Sequence, residues 1–84
     1  MRMAATKKHL TENEKQFLLK IGYRVGYFRK LRGLSQQELA DGAGISLNSV
    51  SHIESTAVTG ISLITIYRLA TALDVDPKQL LDFD

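Results

Sequence analysis

Apolar residues in the first third of this chain recur every three or four positions, which is the spacing of one helix face. Thr11 and Glu14 stand just before this stripe at capping-box spacing, and Gly33 follows it. We therefore predict a first helix from about residue 12 to about residue 32. The stripe consists of Phe17, Ile21, Val25, Phe28 and Leu31.

A second capping box, formed by Ser35 and Glu38, predicts a short helix over residues 36 to about 42. Ala40 is small enough to let another helix cross this one closely at a steep angle. Gly44 then suits the left-handed backbone that a sharp reversal between two helices needs.

Ser46 is placed to cap a third helix, which ends near Glu54. This helix offers Val50 and Ile53 back to the preceding one. Two helices joined by a short turn in this way can place the second of them in the major groove of DNA.

The last third of the chain predicts two more helices. Ser62 caps a fourth helix, and Asp76 followed by Pro77 begins a fifth that continues to about Phe83. No segment alternates with a period of two, so the predicted class is all-α with five helices. The core stripe of the fourth helix comprises Leu63, Ile66, Leu69, Ala70 and Leu73.

The composition excludes several classes of protein. A chain of 84 residues makes one small domain, and the absence of cysteine excludes disulfides and thiolate metal sites. No stretch has the length and apolarity of a signal peptide or a membrane span, so we expect a cytoplasmic protein. His9 and His52 do not have metal-ligand spacing, and no catalytic arrangement is present. We therefore expect neither an enzyme nor a cofactor.

The formal net charge of +2 conceals an uneven distribution. Residues 1–32 hold nine of the eleven basic residues with two acids, whereas residues 33–84 hold two bases and seven acids. A polyanion would be attracted to the front of such a molecule. We divide the chain into a basic N-terminal arm, 1–10, and a single domain, 11–84. A solvated helix face with a disordered basic tail explains the same charges.

The segments "LRGLSQQELA", "GIS…VSHIE" and "LATALDVD" occur in one order and spacing. Together they resemble the Cro/C1-type (XRE) helix-turn-helix family over residues 21–81. The resemblance implies a five-helix, lambda-repressor-like DNA-binding domain. It also implies a transcriptional regulator, in most cases a repressor, that binds a near-palindromic operator on double-stranded DNA as a homodimer.

The family resemblance assigns base reading to Leu47, Asn48, Ser49 and His52. If Val50 and Ile53 face inward, Ser51 also points outward. Asn48 suits the N6/N7 edge of adenine, and Leu47 suits a thymine methyl group. The same residues are also compatible with a solvated helix face, with His52 as a local cap and Leu47 as a partner contact.

Phosphate contacts are expected from neutral groups, because the third helix and the loop after it carry no lysine or arginine. Gln36 matches the family's most regular phosphate-contacting position, and Gln37 stands beside it. Hydroxyls at Ser55, Thr56 and Thr59 are the other candidates. Lys7, Lys8 and Arg2 could form an arm that wraps the duplex.

Two further expectations concern how the domain is held and what it binds. The family commonly pairs an arginine late in the first helix with the glutamate that ends the third, which here implies an ion pair between Arg29 and Glu54. Dimerisation is expected through Leu80, Leu81 and Phe83, or alternatively through the face of the first helix that carries Gly22 and Gly26. The alternative function is an antitoxin or anti-repressor-like module that binds a toxin or a second regulator.

Overall fold

The computed structural model describes residues 10–56 and 60–81. Within these ranges the chain is all-helical, as predicted, and no helix has both the length and the apolarity needed to cross a bilayer. The α-helices are α1 (Glu12–Leu31), α2 (Gln36–Ala43), α3 (Leu47–Ser55) and α4 (Leu63–Leu73), followed by a 3-10 helix at Pro77–Leu80.

The fifth predicted helix is a single 3-10 turn, so the count of five α-helices is not confirmed. Its hydrogen bonds close over three residues: Gln79 N–H donates to Asp76 O at 2.8 Å, and Leu81 N–H donates to Lys78 O at 3.0 Å. Runs with this bonding seldom exceed about four residues. The predicted continuation to Phe83 lies outside the described residues.

Every predicted helix start is capped as the sequence indicates. Thr11, Ser35, Ser46 and Ser62 each accept a hydrogen bond from the backbone N–H three residues ahead. Asp76 does the same for the 3-10 helix, although it accepts from the residue two ahead. These caps satisfy donors that the first helical turn would otherwise leave unpaired, and they fix where each helix begins.

Gly44 produces the reversal between α2 and α3. Its backbone lies in the left-handed region, with φ 70° and ψ 32°. The following N–H, from Ile45, donates to Ala40 O at 3.0 Å and closes the end of α2. The helix-turn-helix predicted from this glycine is therefore present in the fold.

One hydrophobic core lies among the helices. It draws on all four α-helices and on the 3-10 helix, so no element stands apart from it. Ala40 is completely buried, which agrees with the close crossing predicted for α2 and α3. The side chains with no exposed surface at all include Val25, Leu39, Val50, Leu69, Leu73 and Leu80.

Three predicted core residues lie at the surface instead. Phe17 is 48% exposed, Leu31 is 57% exposed and Leu63 is 82% exposed. Phe17 and Leu63 occupy the early turns of their helices, before either helix reaches the core. Leu31 lies off the buried stripe, because an α-helix has 3.6 residues per turn and Leu31 is only three residues after Phe28.

Arg32, which follows the last residue of α1, caps the end of α4. Its Nε donates to Leu73 O at 2.7 Å and its Nη2 donates to Asp74 O at 3.1 Å. A cation at the carbonyl end of a helix also complements the helix dipole. Arg24 does similar work at the 3-10 helix, where its Nε donates to Gln79 O at 3.0 Å. Neither arginine was predicted to have a structural role.

α1 and α3 approach closely at Gly22. A Cβ on this residue would lie 2.0 Å from Ile53 O, a distance that atoms cannot occupy. One turn later a Cβ on Gly26 would meet the Glu54 carboxyl group at 3.5 Å, which is ordinary contact. The face of α1 that carries Gly22 and Gly26 is thus covered by α3. It is not available for dimerisation, so the alternative dimer surface predicted there is wrong.

We predict opposite effects for alanine at the two glycines. Gly22→Ala would push α3 away from α1, and we expect the free energy of unfolding to fall by about 2 kcal/mol or more. Gly26→Ala is the matched control, because it fits the available space and gains up to about 1 kcal/mol of helix propensity. Urea unfolding followed by circular dichroism measures both. Equal effects of the two substitutions would contradict the close contact at Gly22.

Candidate nucleic-acid interface

The outward face of α3 is polar and accessible. Val50 and Ile53 are buried, with 0% and 4% of their surface exposed, so the helix has a clear inner side. On the other side, Asn48 and His52 are exposed, and Leu47 is 43% exposed. Three of the predicted base-reading side chains are therefore presented to solvent.

The serines of α3 are less exposed. Ser49 and Ser51 are half-buried. Ser49 accepts a hydrogen bond from the Ser46 hydroxyl at 2.9 Å, which leaves its own hydroxyl hydrogen available to donate. Ser49 and Ser51 thus lie at the edge of the outward face of α3, although Ser51 was expected to point fully outward.

A groove of about 230 Å³ separates α3 from the start of α4. Asn48, Ser49 and His52 line one wall, and Thr65 lines the opposite one. Ile61 contributes apolar surface between them. The predicted readers therefore border a concave surface, and Thr65 is a lining residue that the sequence analysis missed. The sequence indicated only that Thr65 lies in the first turn of α4.

A network of three side chains connects α1, α2 and α3. Arg29 and Glu54 form the predicted ion pair, with Nε to Oε2 at 2.6 Å and Nη2 to Oε1 at 3.0 Å. Gln36 Nε2 donates to the same Oε1 at 3.1 Å. The remaining Nη1 of Arg29 donates to Leu34 O at 2.8 Å, in the turn before α2. The Arg29 guanidinium thus connects α1 to α3 and to the turn before α2.

The ion pair is nearly buried, which sets its electrostatics. The side chains of Arg29 and Glu54 are only 12% and 10% exposed. The hydrogen bond to Glu54 raises the pKa of Arg29, against the opposing effect of desolvation. A raised pKa in the folded state means that this stabilisation is complete below the arginine's unfolded pKa and is lost only at strongly alkaline pH. Arg29 therefore does not titrate near neutrality.

Some predicted phosphate contacts already have intramolecular partners. Gln36 uses one amide hydrogen on Glu54, which leaves the other available. Gln37 donates to Asp41 at 2.9 Å. The hydroxyls of Ser55 and Thr56 donate to helix carbonyls at 2.7 and 2.9 Å, so both would have to rotate to donate to a phosphate. Thr59 and residues 1–9 of the predicted basic arm, 1–10, lie outside the described residues.

Fewer cations are available than the sequence suggested. Arg24, Arg29 and Arg32 all donate to groups of the chain itself. α3 contains neither lysine nor arginine, and its last turn carries only His52 as a basic side chain. Among the described residues, no three His, Cys, Asp or Glu side chains group closely enough to hold a metal ion. Among the described residues, the outward face of α3 therefore offers hydrogen-bonding side chains but no lysine or arginine.

The HTH_3 profile, described as helix-turn-helix, matches residues 25–80, which span α2, the turn at Gly44 and α3. The chain belongs to the Cro/C1-type helix-turn-helix family. The family match begins within α1 and ends at the last residue of the 3-10 helix.

Members of this family with known structures are similar to the chain in sequence and fold. The HTH-type transcriptional regulator SinR of Bacillus subtilis is 37% identical over 62 residues, which are 74% of this chain and 56% of SinR. The chain thus corresponds to about half of that relative. The restriction-modification controller protein C.AhdI of Aeromonas hydrophila is 40% identical, with a TM-score of 0.70 over 75% of this chain and 94% of that one.

A structure of SinR in complex with DNA matches equally well. Its TM-score is 0.70 at 37% identity, covering 74% of this chain and 98% of the SinR chain. That SinR is described as the master regulator for biofilm formation. A further structure contains SinR in complex with the SinI protein, with a TM-score of 0.69.

In this helix-turn-helix domain we predict that Arg29→Ala is strongly destabilising. It would leave Glu54 charged and unpaired in a nearly buried position, at a cost of about 3–5 kcal/mol. Replacing both partners by apolar residues, Arg29→Met with Glu54→Leu, should recover most of that loss. Thermal unfolding of the three proteins tests this, with Lys30→Ala as an exposed control. An unchanged melting temperature in Arg29→Ala would rule out the ion pair as a structural contact.

Proposed function

We propose that this chain is a sequence-specific DNA-binding transcriptional regulator that reads bases with the outward face of α3. The observation that carries the proposal is the exposure of Asn48 and His52 on a helix whose other side is fully buried. A relative with the same fold, SinR, has been solved in complex with DNA. Within the described part of this chain, Leu47, Asn48 and His52 on the outward face of α3 are exposed.

The proposed chemistry of reading depends on hydrogen bonds and methyl contact. The Asn48 side chain can donate from its NH₂ to adenine N7 and accept from adenine N6–H through its carbonyl oxygen, because it carries both groups. His52 donates to N7 or O6 of guanine, and Leu47 packs on a thymine methyl group. Ser49 and Ser51 supply adaptable contacts at the edge of the same face.

Anchoring on the phosphates is proposed to come from the start of α2. Its free N–H groups and positive dipole end form a site for a phosphate oxygen. Gln36 is oriented there by its hydrogen bond to Glu54 and retains one amide hydrogen for the phosphate. Gln37, Ser55 and Thr56 follow as secondary contacts, since each must first leave an intramolecular partner.

We further propose that the chain binds a near-palindromic operator as a homodimer and represses transcription. One reading helix contacts only a few base pairs, which is insufficient specificity for a genome. Two copies placed one helical turn of DNA apart double the length of the site. Repression then follows from occupancy of a promoter by the dimer.

A protein-partner function is the second candidate, in which the chain acts as an antitoxin or anti-repressor. The structure of the relative SinR with the SinI protein favours it, as does the absence of lysine and arginine from α3. Binding of the free chain to its own promoter favours the regulator instead. Copurification with a second protein, together with no selected DNA site, favours the partner role.

We predict that Asn48→Ala weakens specific binding by about tenfold or more, because a bidentate contact to a base contributes about 1–3 kcal/mol. Operator sites are first selected from a random DNA pool at fixed salt and then used in fluorescence anisotropy. Asn13→Ala, an exposed asparagine in the first turn of α1, is the matched control and should leave affinity unchanged. Equal affinities of the two variants would show that Asn48 does not read a base.

We also predict a shallow salt dependence. Each neutralised phosphate contributes a slope of about −0.9 in log K against log salt, and we expect fewer than about five such contacts per monomer. The reason is that α3 carries no lysine or arginine and that three arginines bind within the chain. Affinity for the selected site is measured from low to high salt. A much steeper slope would place charged anchors on the DNA.

A further inference from the structure

The outward face of α4 is apolar at positions where a solvated helix normally carries charge. Leu63 is 82% exposed, Ile64 is 54% exposed and Tyr67 is 56% exposed. These residues follow one another at helical spacing, so they form one continuous surface. We name it the α4 face.

A groove of about 340 Å³ continues the α4 face toward the end of α2. Tyr67, Arg68 and Thr71 line its α4 side, whereas Asp41 and Gly44 line its α2 side. Arg68 has no hydrogen bond or ion pair within the described residues. Asp41 accepts from Gln37 through one carboxylate oxygen, Oδ1. The groove therefore carries one exposed charge of each sign next to an apolar surface.

We propose that the α4 face pairs with the α4 face of a second copy of this chain, and this inference rests on the proposed function. In a two-fold interface the residue pairs are reciprocal. Arg68 of each copy would meet Asp41 of the other, and the apolar residues Leu63, Ile64 and Tyr67 would be covered together. Because Arg68 and Asp41 carry opposite charges, two copies related by a two-fold axis can pair them reciprocally.

The other candidate surfaces fit a second copy less well. Of the expected C-terminal interface, Leu80 is completely buried in the core of its own chain, Leu81 is 41% exposed and Phe83 lies outside the described residues. Only one of the three is thus a described, exposed apolar side chain. The outer side of α1 exposes Tyr23 and Tyr27, but it also exposes Lys30. A two-fold contact there would bring like charges together, which opposes association.

Pairing through the α4 face leaves the reading helix accessible. Thr65 lines the groove shared with α3, whereas Tyr67 and Arg68 line the groove shared with the end of α2. The two grooves thus lie on different sides of α4. A second copy seated on one of them does not cover Asn48 or His52 on the other.

The test uses the full chain without DNA and measures its mass by sedimentation equilibrium at low salt. We expect a dimer whose dissociation constant rises about tenfold or more in Arg68→Glu and in Asp41→Arg, because each variant places like charges opposite each other. An equimolar mixture of the two variants should associate again, since the mixed dimer has an attractive pair at both ends. Lys30→Glu, on the outer side of α1, is the control.

A second variant tests the apolar part of the interface, separately from the pairing of Arg68 with Asp41. Leu63→Glu adds an acid to the first turn of α4, where it favours the helix, and it should weaken the dimer while circular dichroism stays unchanged. A monomeric wild-type chain, an unaffected Arg68→Glu variant or a mixture no tighter than its components would overturn the inference. If such a chain still binds a selected DNA site, the proposed regulator function stands without this interface. If no site is selected while the dimer forms, the regulator function fails instead.

Discussion

The close contact between α1 and α3 determines where α3 lies. Its central feature is the absence of a side chain at Gly22, which lets Ile53 O occupy the space that a Cβ would need. Hydrogen bonds alone could not hold α3 at this distance if α1 presented a larger residue. The Arg29–Glu54 pair then fixes the end of α3 against the same helix. Backbone proximity sets the position, and the ion pair sets the orientation.

The distribution of arginines shows how charge is divided between structure and binding. Arg24 and Arg32 donate to carbonyl oxygens at the ends of the 3-10 helix and of α4, where few other donors could reach. The planar guanidinium suits this work because its donors are fixed in a fork. Both arginines still contribute their charge to the long-range attraction of a polyanion. Direct contacts with a polyanion are left to side chains that do not already bind within the chain.

The sequence predicted the local features of this fold better than its tertiary ones. Caps such as Ser35 and the left-handed Gly44 were predictable because each depends on neighbours within a few positions. The class, the turn and the Arg29–Glu54 pair were also correct, the last through family resemblance. The exposure of Leu63 was not predictable, since periodicity gives a helix face without saying where along the helix the core begins.

The sequence predicted which face of α3 is exposed, but it did not predict which candidate side chains have hydrogen-bond partners within the chain. Periodicity and resemblance together selected the face that carries Asn48 and His52, and this face is exposed. They could not reveal that Gln37, Ser55 and Thr56 have hydrogen-bond partners within the chain, because such bonds depend on side-chain rotation. Thr65 was missed because its contact with the groove depends on the path of the chain after α3.

The hydrogen bond from Arg29 to the carbonyl oxygen of Leu34 limits how small a fragment of this domain can fold by itself. It ties the segment before α2 to α1, so α2 and α3 do not form an autonomous pair. Grafting residues 36–55 alone onto a foreign scaffold would leave Glu54 without its guanidinium and would uncover the side of α3 that packs on Gly22. The smallest transplantable unit of this domain therefore begins within α1, near Ile21.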